Sequence, residues 1–354
     1  MVPLLLFFCL ALVLSLTLTP LVIRLLRNSR VMDIPNRRSS HDQPVPRGGG
    51  FGILLPAVIL VAAAHSAGRL AAGELMAALA LGVAGMTLIG FLDDLYSLSA
   101  LLRLVLEGLL MAGCLVVAPL SLAVIDLPFL PPLATGAAGI GLAWLFLVGF
   151  PNLFNFMDGI NGLAGMQTLI AGAALAVLGH QIGNETVAWG AAAIAGGSLG
   201  FLRYNFPAAR VFMGDSGSLP IGFFLAAAVL AIAAPGSQVP LVVPVLMLWV
   251  FLFDAGLTLL IRTCRRQRLH HAHRDHLYQR LIRLDYSHAR VTTIYSVLML
   301  GATVTAFCYL RSGDAVRLAL LLVLAAVSAG LALSVLVAHR RRARQRIAES
   351  PRHG

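Results

Sequence analysis

Apolar runs long enough to cross a bilayer core follow one another from the third residue to about position 338, and this spacing limits the chain more than any other feature. Hydrocarbon offers no water to backbone N–H and C=O groups, so a spanning segment must satisfy them internally, as a helix does. On a criterion of roughly 17–25 apolar residues the chain gives about eleven helices. They fall near 3–23, 50–66, 73–91, 101–119, 133–150, 162–180, 186–201, 217–234, 239–261, 292–310 and 316–338. Only 12% of the 354 residues are charged, where a soluble domain carries about 25%. Mean hydropathy is +0.88. A soluble fold is excluded. The expected fold class is an all-α polytopic membrane protein, with one transmembrane domain over 1–338 and a basic tail over 339–354.

The net charge of +11 comes from 26 arginines without a single lysine. In a soluble protein such a balance would suggest nucleic acid, but here the arginines sit in the breaks between apolar runs and report topology. Arg24, Arg27, Arg30, Arg37, Arg38 and Arg47 follow the first helix, which places that break in the cytoplasm and the N-terminus on the periplasmic side. Alternating from there, the outer breaks hold only Arg69, Arg311 and Arg317. The run from Arg262 to Arg290 and the tail from Arg340 to Arg352 fall inside, so the C-terminus is cytoplasmic. No basic segment precedes the first apolar run, so no cleavable signal peptide is expected. Cys9, Cys114, Cys264 and Cys308 are scattered, with no metal-type spacing, and read as small buried hydrophobes.

The polar stretches then share one face. "FLDDLYSLSALLR" (91–103), "NLFNFMDGINGLAG" (152–165), "RYNFPAARVFMGDSGS" (203–218), "RLHHAHRDHLYQRL" (268–281) and "NRRSSHDQPVPRGGG" (36–50) all fall in cytoplasmic breaks. Asp93 and Asp94 close the third helix, where carboxylates oppose the helix dipole. They are either a solvated helix end or groups kept for a cation or a proton. Arg103 follows and could pair with them or with a phosphate. Asn152, Asn155 and Asp158 recur at i, i+3 and i+6, one face of a helix, as hard oxygen donors suited to Mg²⁺ or Mn²⁺. The bland alternative is an interhelical hydrogen-bond seam. Asp215 sits between glycines before the eighth helix, where backbone amides favour an anion; an ordinary N-cap explains it equally well. His270, His271, His273 and His276 lie among arginines, which suits a phosphate or nucleotide better than a zinc ion, and better than a merely positive-inside loop, which has no need of histidine. Asp254 lies inside the ninth run, either paired with Arg262 or lining the site.

Taken in order, "FLDDLYSL", "NLFNFMDGINGLAG", "FMGDSGS" and "HRDHLYQRL" resemble the motifs of the polyprenyl-phosphate N-acetylhexosamine-1-phosphate transferases. That superfamily includes the phospho-N-acetylmuramoyl-pentapeptide transferases and the initiating N-acetylglucosamine-1-phosphate transferases. The resemblance spans nearly the whole chain. It implies attack of undecaprenyl phosphate on the β-phosphate of a UDP-N-acetyl sugar, with release of UMP and with Mg²⁺, or Mn²⁺ in its place, as cofactor. It implies Asn155 and Asp215 as metal ligands and Asp93, Asp94 and Asp158 as catalytic carboxylates. On the substrate side it implies Asn152, Arg103, Ser216, His273, His276 and Arg280. Two positions depart from the pattern: Asn161 stands where many relatives have an aspartate, and Ser97 where many have a charged residue. "DGING", "HLYQRL" and "SSHDQPVPRGGG" look closest to the branch that initiates O-antigen synthesis, whose sugars include FucNAc, QuiNAc and GlcNAc. The implied partners are the nucleotide sugar, undecaprenyl phosphate and membrane lipid, without nucleic acid; a homodimer is compatible with the sequence. The implied location is the bacterial inner membrane, active site toward the cytoplasm. The competing class is a polytopic transporter or lipid flippase, since intramembrane carboxylates and glycine-interrupted helices also mark transport paths.

Overall fold

A computed structural model of the chain describes residues 1–29, 31–33, 44–267 and 274–349. Its helices are α1 (Val2–Asn28), α2 (Phe51–Ser66), α3 (Glu74–Tyr96), α4 (Ala100–Val117), α5 (Ala138–Met157), α6 (Leu163–Gln181) and α7 (Glu185–Asn205). They continue with α8 (Asp215–Ile232), α9 (Val242–Leu246), α10 (Trp249–Cys264), α11 (Leu277–Arg283), α12 (His288–Leu310) and α13 (Asp314–Glu349). Two antiparallel pairs of two-residue strands complete the described structure: β1 (Met32–Asp33) with β2 (Val45–Pro46), and β3 (Val124–Ile125) with β4 (Leu133–Ala134). Eight of the described helices are long and apolar enough to cross a membrane. The protein is an all-α, multi-pass membrane protein.

The helix starts follow from local chemistry. Ser99, Asn184 and Ser287 each accept a backbone N–H of the following turn, from Leu102, Val187 and Arg290, and so begin α4, α7 and α12. Except for the ninth, the expected apolar segments each appear as one helix. The ninth run breaks into α9 and α10, because a buried partner receives the backbone group that the break frees. Gln167 of α6 donates Nε2 to the carbonyl of Met247 at 2.9 Å. In a non-aqueous interior such a break requires a donor of this kind. The last helix does not stop at 338 but runs on to Glu349 through the basic tail, and Arg342 pairs with Asp285.

Helix α8 is buried along its entire length. It packs chiefly against α3 and α5, while α7 packs against α1, α2 and α6. Around this interior, leucines and valines of α1, α4 and α13 remain exposed, among them Leu5, Leu6, Leu101, Leu109, Leu322 and Leu333. A bundle that is apolar inside and outside is what lipid as a solvent allows. The ends of the bundle differ. Met1 lies beside His180 at the close of α6, whereas the ends of α3 and α5 and the start of α8 meet at the other end, where the polar motifs collect.

Close approach of α3 to α8 depends on Gly90. A Cβ at that position would stand 2.2 Å from the carbonyl oxygen of Asp215. Gly90→Ala is expected to destabilise the purified protein by about 1–3 kcal/mol, the usual cost of overpacking. An unchanged denaturation midpoint in detergent would show that the two helices are not held this closely.

Candidate active site at the start of helix α8

The first four N–H groups of a helix have no partner within it, and α8 begins in a buried environment. Asp94, in the last turn of α3, supplies the acceptor. Its Oδ1 accepts from the Asp215 N–H and its Oδ2 from the Ser216 N–H, both at 3.0 Å. A carboxylate that opposes the dipole of its own helix is thus placed on the favourable end of another. Arg47 completes the clamp, with Nε 2.7 Å from Asp94 Oδ1 and Nη2 2.5 Å from Asp215 Oδ1. Burial alone would loosen the proton of Arg47; the charges of Asp215 and Asp94 overcome this and hold its pKa above that of a free arginine.

Arg47 is carried on a strip of backbone. Residues 46–50 lie along 212–213, with Phe212 N–H donating to Pro46 and the N–H groups of Gly49 and Gly50 donating to the carbonyls of Phe212 and Met213. Here glycine is required by proximity: a Cβ on Gly50 would stand 2.2 Å from the Cα of Gly217. The "PRGGG" and "FMGDSG" stretches therefore form one layer against the start of α8.

On the other side, Arg103 of α4 donates Nη1 to Asp93 Oδ2 at 2.8 Å and to Asp215 Oδ2 at 3.2 Å. Its Nη2 reaches Asn152 Oδ1 at 3.2 Å. Glu107 orients this pair from below: its side chain is 0% exposed, accepts from Asn152 Nδ2, and lies 3.6 Å from Arg103 Nε. Asn155 donates to Ser218 Oγ at 2.8 Å, three residues after Asp215 in α8. Asp158 caps the end of α5, and its carboxyl is pushed well above the ordinary range by burial and then by the charge of Asp215.

The structure thus brings Asp93, Asp94, Arg103, Asn152, Asn155, Asp215 and Ser216 into one cluster, and the charge of Asp215 reaches Asp158 beside it. His273 lies outside the described residues, as do His270 and His271. Arg280 and His276 belong to α11 and its start. Arg280 donates Nε to the Asp275 carbonyl at 2.7 Å, and burial lowers its pKa. His276 is 2% exposed and faces Asp254 at 3.4 Å. This segment reaches the cluster indirectly: Tyr278 donates its hydroxyl to the carbonyl of Phe156 at 2.9 Å, between Asn155 and Asp158 in the chain.

Arg262, weighed as the partner of Asp254, pairs instead with Asp275 at 2.7 Å. Asn161 turns away from the cluster and donates to the Pro207 carbonyl at 3.0 Å. Two members of the site escaped sequence reasoning. Arg47 reads in the sequence as a topological charge within "NRRSSHDQPVPRGGG", although the glycine run behind it signals a close backbone approach. Glu107 was passed over inside an apolar run, where an ionisable residue one turn after Arg103 is itself a signal. A cavity of about 710 Å³ opens elsewhere, at residues such as Gln181, Asn184, Glu185 and Gln238, and holds none of these groups.

Among the described residues no three histidine, cysteine, aspartate or glutamate side chains are grouped to cage a metal. Asp215 and Asn155 would supply one carboxylate and one neutral oxygen, donors of the kind Mg²⁺ takes together with water and phosphate oxygens. The carboxylates of Asp93, Asp94 and Asp215 outnumber the guanidinium groups of Arg47 and Arg103 beside them. The residues fit a hard divalent cation.

Comparison with known proteins gives concordant matches. The pattern of glycosyl transferase family 4 matches residues 76–233. A probable undecaprenyl-phosphate N-acetylglucosaminyl 1-phosphate transferase of Bacillus subtilis is 30% identical over 297 residues, covering 82% of this chain and 80% of that protein. A decaprenyl-phosphate N-acetylglucosaminephosphotransferase of Mycobacterium tuberculosis is 31% identical over 323 residues, covering 82% and 79%. A phospho-N-acetylmuramoyl-pentapeptide-transferase of Desulforudis audaxviator is 32% identical over 253 residues, covering 64% and 76%. The family pattern includes the Asp93–Asp215 cluster and leaves out Arg47 and α11.

The raised pKa of Asp158 has a definite sign. A carboxyl that holds its proton more tightly folded than unfolded stabilises the fold below the unfolded pKa of about 4 and loses that stabilisation as pH rises. In EDTA, Asp158→Asn is therefore expected to gain on the wild type in thermal stability between pH 4 and pH 8. A difference independent of pH would show that Asp158 ionises normally.

Proposed function

The chain belongs to glycosyl transferase family 4, among the polyprenyl-phosphate sugar-phosphate transferases, and from that premise we propose that it moves an N-acetylhexosamine-1-phosphate from a UDP-sugar to undecaprenyl phosphate. An oxygen of the lipid phosphate bonds to the β-phosphorus, the P–O bond bridging the α- and β-phosphates breaks, and UMP leaves with that electron pair. The observation that carries this reading is the gathering of Asn155, Asp215, Arg47 and Arg103 at one end of a membrane-embedded bundle.

The roles follow from the contacts. Arg103 and Arg47 already bind carboxylates and supply guanidinium groups that match phosphate oxygens. Asp94 has both oxygens committed to the α8 amides, so Asp93, beside Arg103, is the member of the acidic pair that would take the proton of the lipid phosphate. Asn155 and Asp215 would hold Mg²⁺, which when bound neutralises charge on the transferring phosphoryl group. By the resemblance of the "HRDHLYQRL" motif, Arg280 on α11 receives the nucleotide end. The arginine distribution supports an active end facing the cytoplasm across the inner membrane. The sugar is an N-acetylhexosamine. The names of the Bacillus and Mycobacterium relatives favour GlcNAc, and the resemblance of "DGING" and "HLYQRL" to O-antigen-initiating enzymes favours a 6-deoxy sugar such as FucNAc or QuiNAc.

The test is UMP release by the purified protein in detergent from a panel of UDP-N-acetyl sugars, with undecaprenyl phosphate and Mg²⁺. Turnover with one donor is expected, and no turnover with any of them would favour a transporter. Asp215→Asn should lower turnover by about a hundredfold or more while the protein still inserts. A near-normal rate would remove Asp215 from the reaction. Arg280→Ala should act mainly on the KM for nucleotide sugar; a fall in kcat alone would place Arg280 elsewhere in the mechanism.

A further inference from the structure

Asp254 is a charged residue that the proposed reaction does not use. It lies in α10, 1% exposed, in the ninth apolar run. A lone carboxylate there would be costly, and each of its bonds shows what it is for. Oδ1 accepts from the Leu277 N–H at 2.8 Å and Oδ2 from the Tyr278 N–H at 3.1 Å. Tyr295 of α12 donates its hydroxyl to Oδ2 at 2.5 Å, and Thr258 lies 3.4 Å from Oδ1. His276, at the start of α11, also lies 3.4 Å from Oδ1, and none of these partners belongs to the Asp215 cluster.

The same helix holds α11 at a second point. Arg262, two turns after Asp254, reaches Asp275, which in turn binds Arg280. From α11 the chain of contacts passes to the catalytic end: the Tyr278 hydroxyl bonds the Phe156 carbonyl, and Gly159 leaves it room, since a Cβ there would stand 2.1 Å from that hydroxyl.

We propose that Asp254 is a positioning residue, which fixes α11 to α10 and α12 so that the donor-binding Arg280 and the Asn155–Asp158 segment of α5 keep one spacing. The proposal rests on the reading of α11 as the nucleotide-sugar end of the site. Losing the anchor should loosen the donor without touching the lipid.

The test is Asp254→Asn in the full-length protein in detergent, followed by amide hydrogen exchange and by kinetics toward each substrate. An amide retains the size of the side chain but cannot accept all of these donors. Exchange at residues 277–283 should quicken about tenfold, with α8 unchanged, and the KM for the nucleotide sugar should rise about tenfold, with the KM for undecaprenyl phosphate unchanged. Tyr295→Phe, which removes one donor only, should give smaller shifts in the same two quantities. Unchanged exchange at 277–283 would overturn the proposal, as would equal loosening of α8 and α11, the mark of a general packing role. Should Asp254→Asn not fold, Tyr295→Phe is read by the same criteria. If wild-type protein releases no UMP from any donor, the proposed reaction falls, while the exchange result still decides whether Asp254 anchors α11.

Discussion

The whole site depends on how the start of α8 is satisfied. A buried helix begins with N–H groups that nothing within it can accept, and lipid supplies no water for them. Asp94 takes two of these donors at once. That brings a charge into the interior, and the charge requires Arg47; Arg47 requires the backbone strip of 46–50, and the strip requires glycine where it crosses α8. One unsatisfied helix end thus fixes the relative positions of α3, α8 and the segment before α2.

A consequence is that polarity concentrates. Buried charges persist only with partners, so the carboxylates of Asp93, Asp94, Asp215 and Glu107 are interleaved with Arg47 and Arg103 rather than spread along the bundle. The cluster is rich in acid for its two arginines, and the surplus faces the end where Asn155 adds a neutral donor. Such a place suits a divalent ion and a diphosphate together. Outside this cluster, buried polar groups such as Gln167 and Asp254 are each held by hydrogen-bonding partners.

Much of this was legible in the residues. The apolar runs gave the helices, because hydrocarbon enforces both length and composition. Asp93, Asn155 and Asp215 could be singled out because polar groups are scarce in such a chain and each one needs a reason. What stayed hidden was partnership across the fold. Asp254 and Arg262 are spaced to suggest a pair along one helix, yet each finds a better partner on the segment around α11. The break between α9 and α10 depends on Gln167, some eighty positions earlier, which no local pattern announces. Arg47 looked like a topological charge because its partners lie on α3 and α8. Tertiary contacts, not spacing, decide each of these cases.

The central claim is that Asn155 and Asp215 share one divalent ion with the donor diphosphate. The most direct check is anomalous scattering from crystals of the protein grown with Mn²⁺ and a UDP-N-acetyl sugar. A single strong peak bounded by Asn155, Asp215 and the diphosphate is the expected result. A peak bound elsewhere, or none at all in crystals whose donor is fully occupied, would contradict the account.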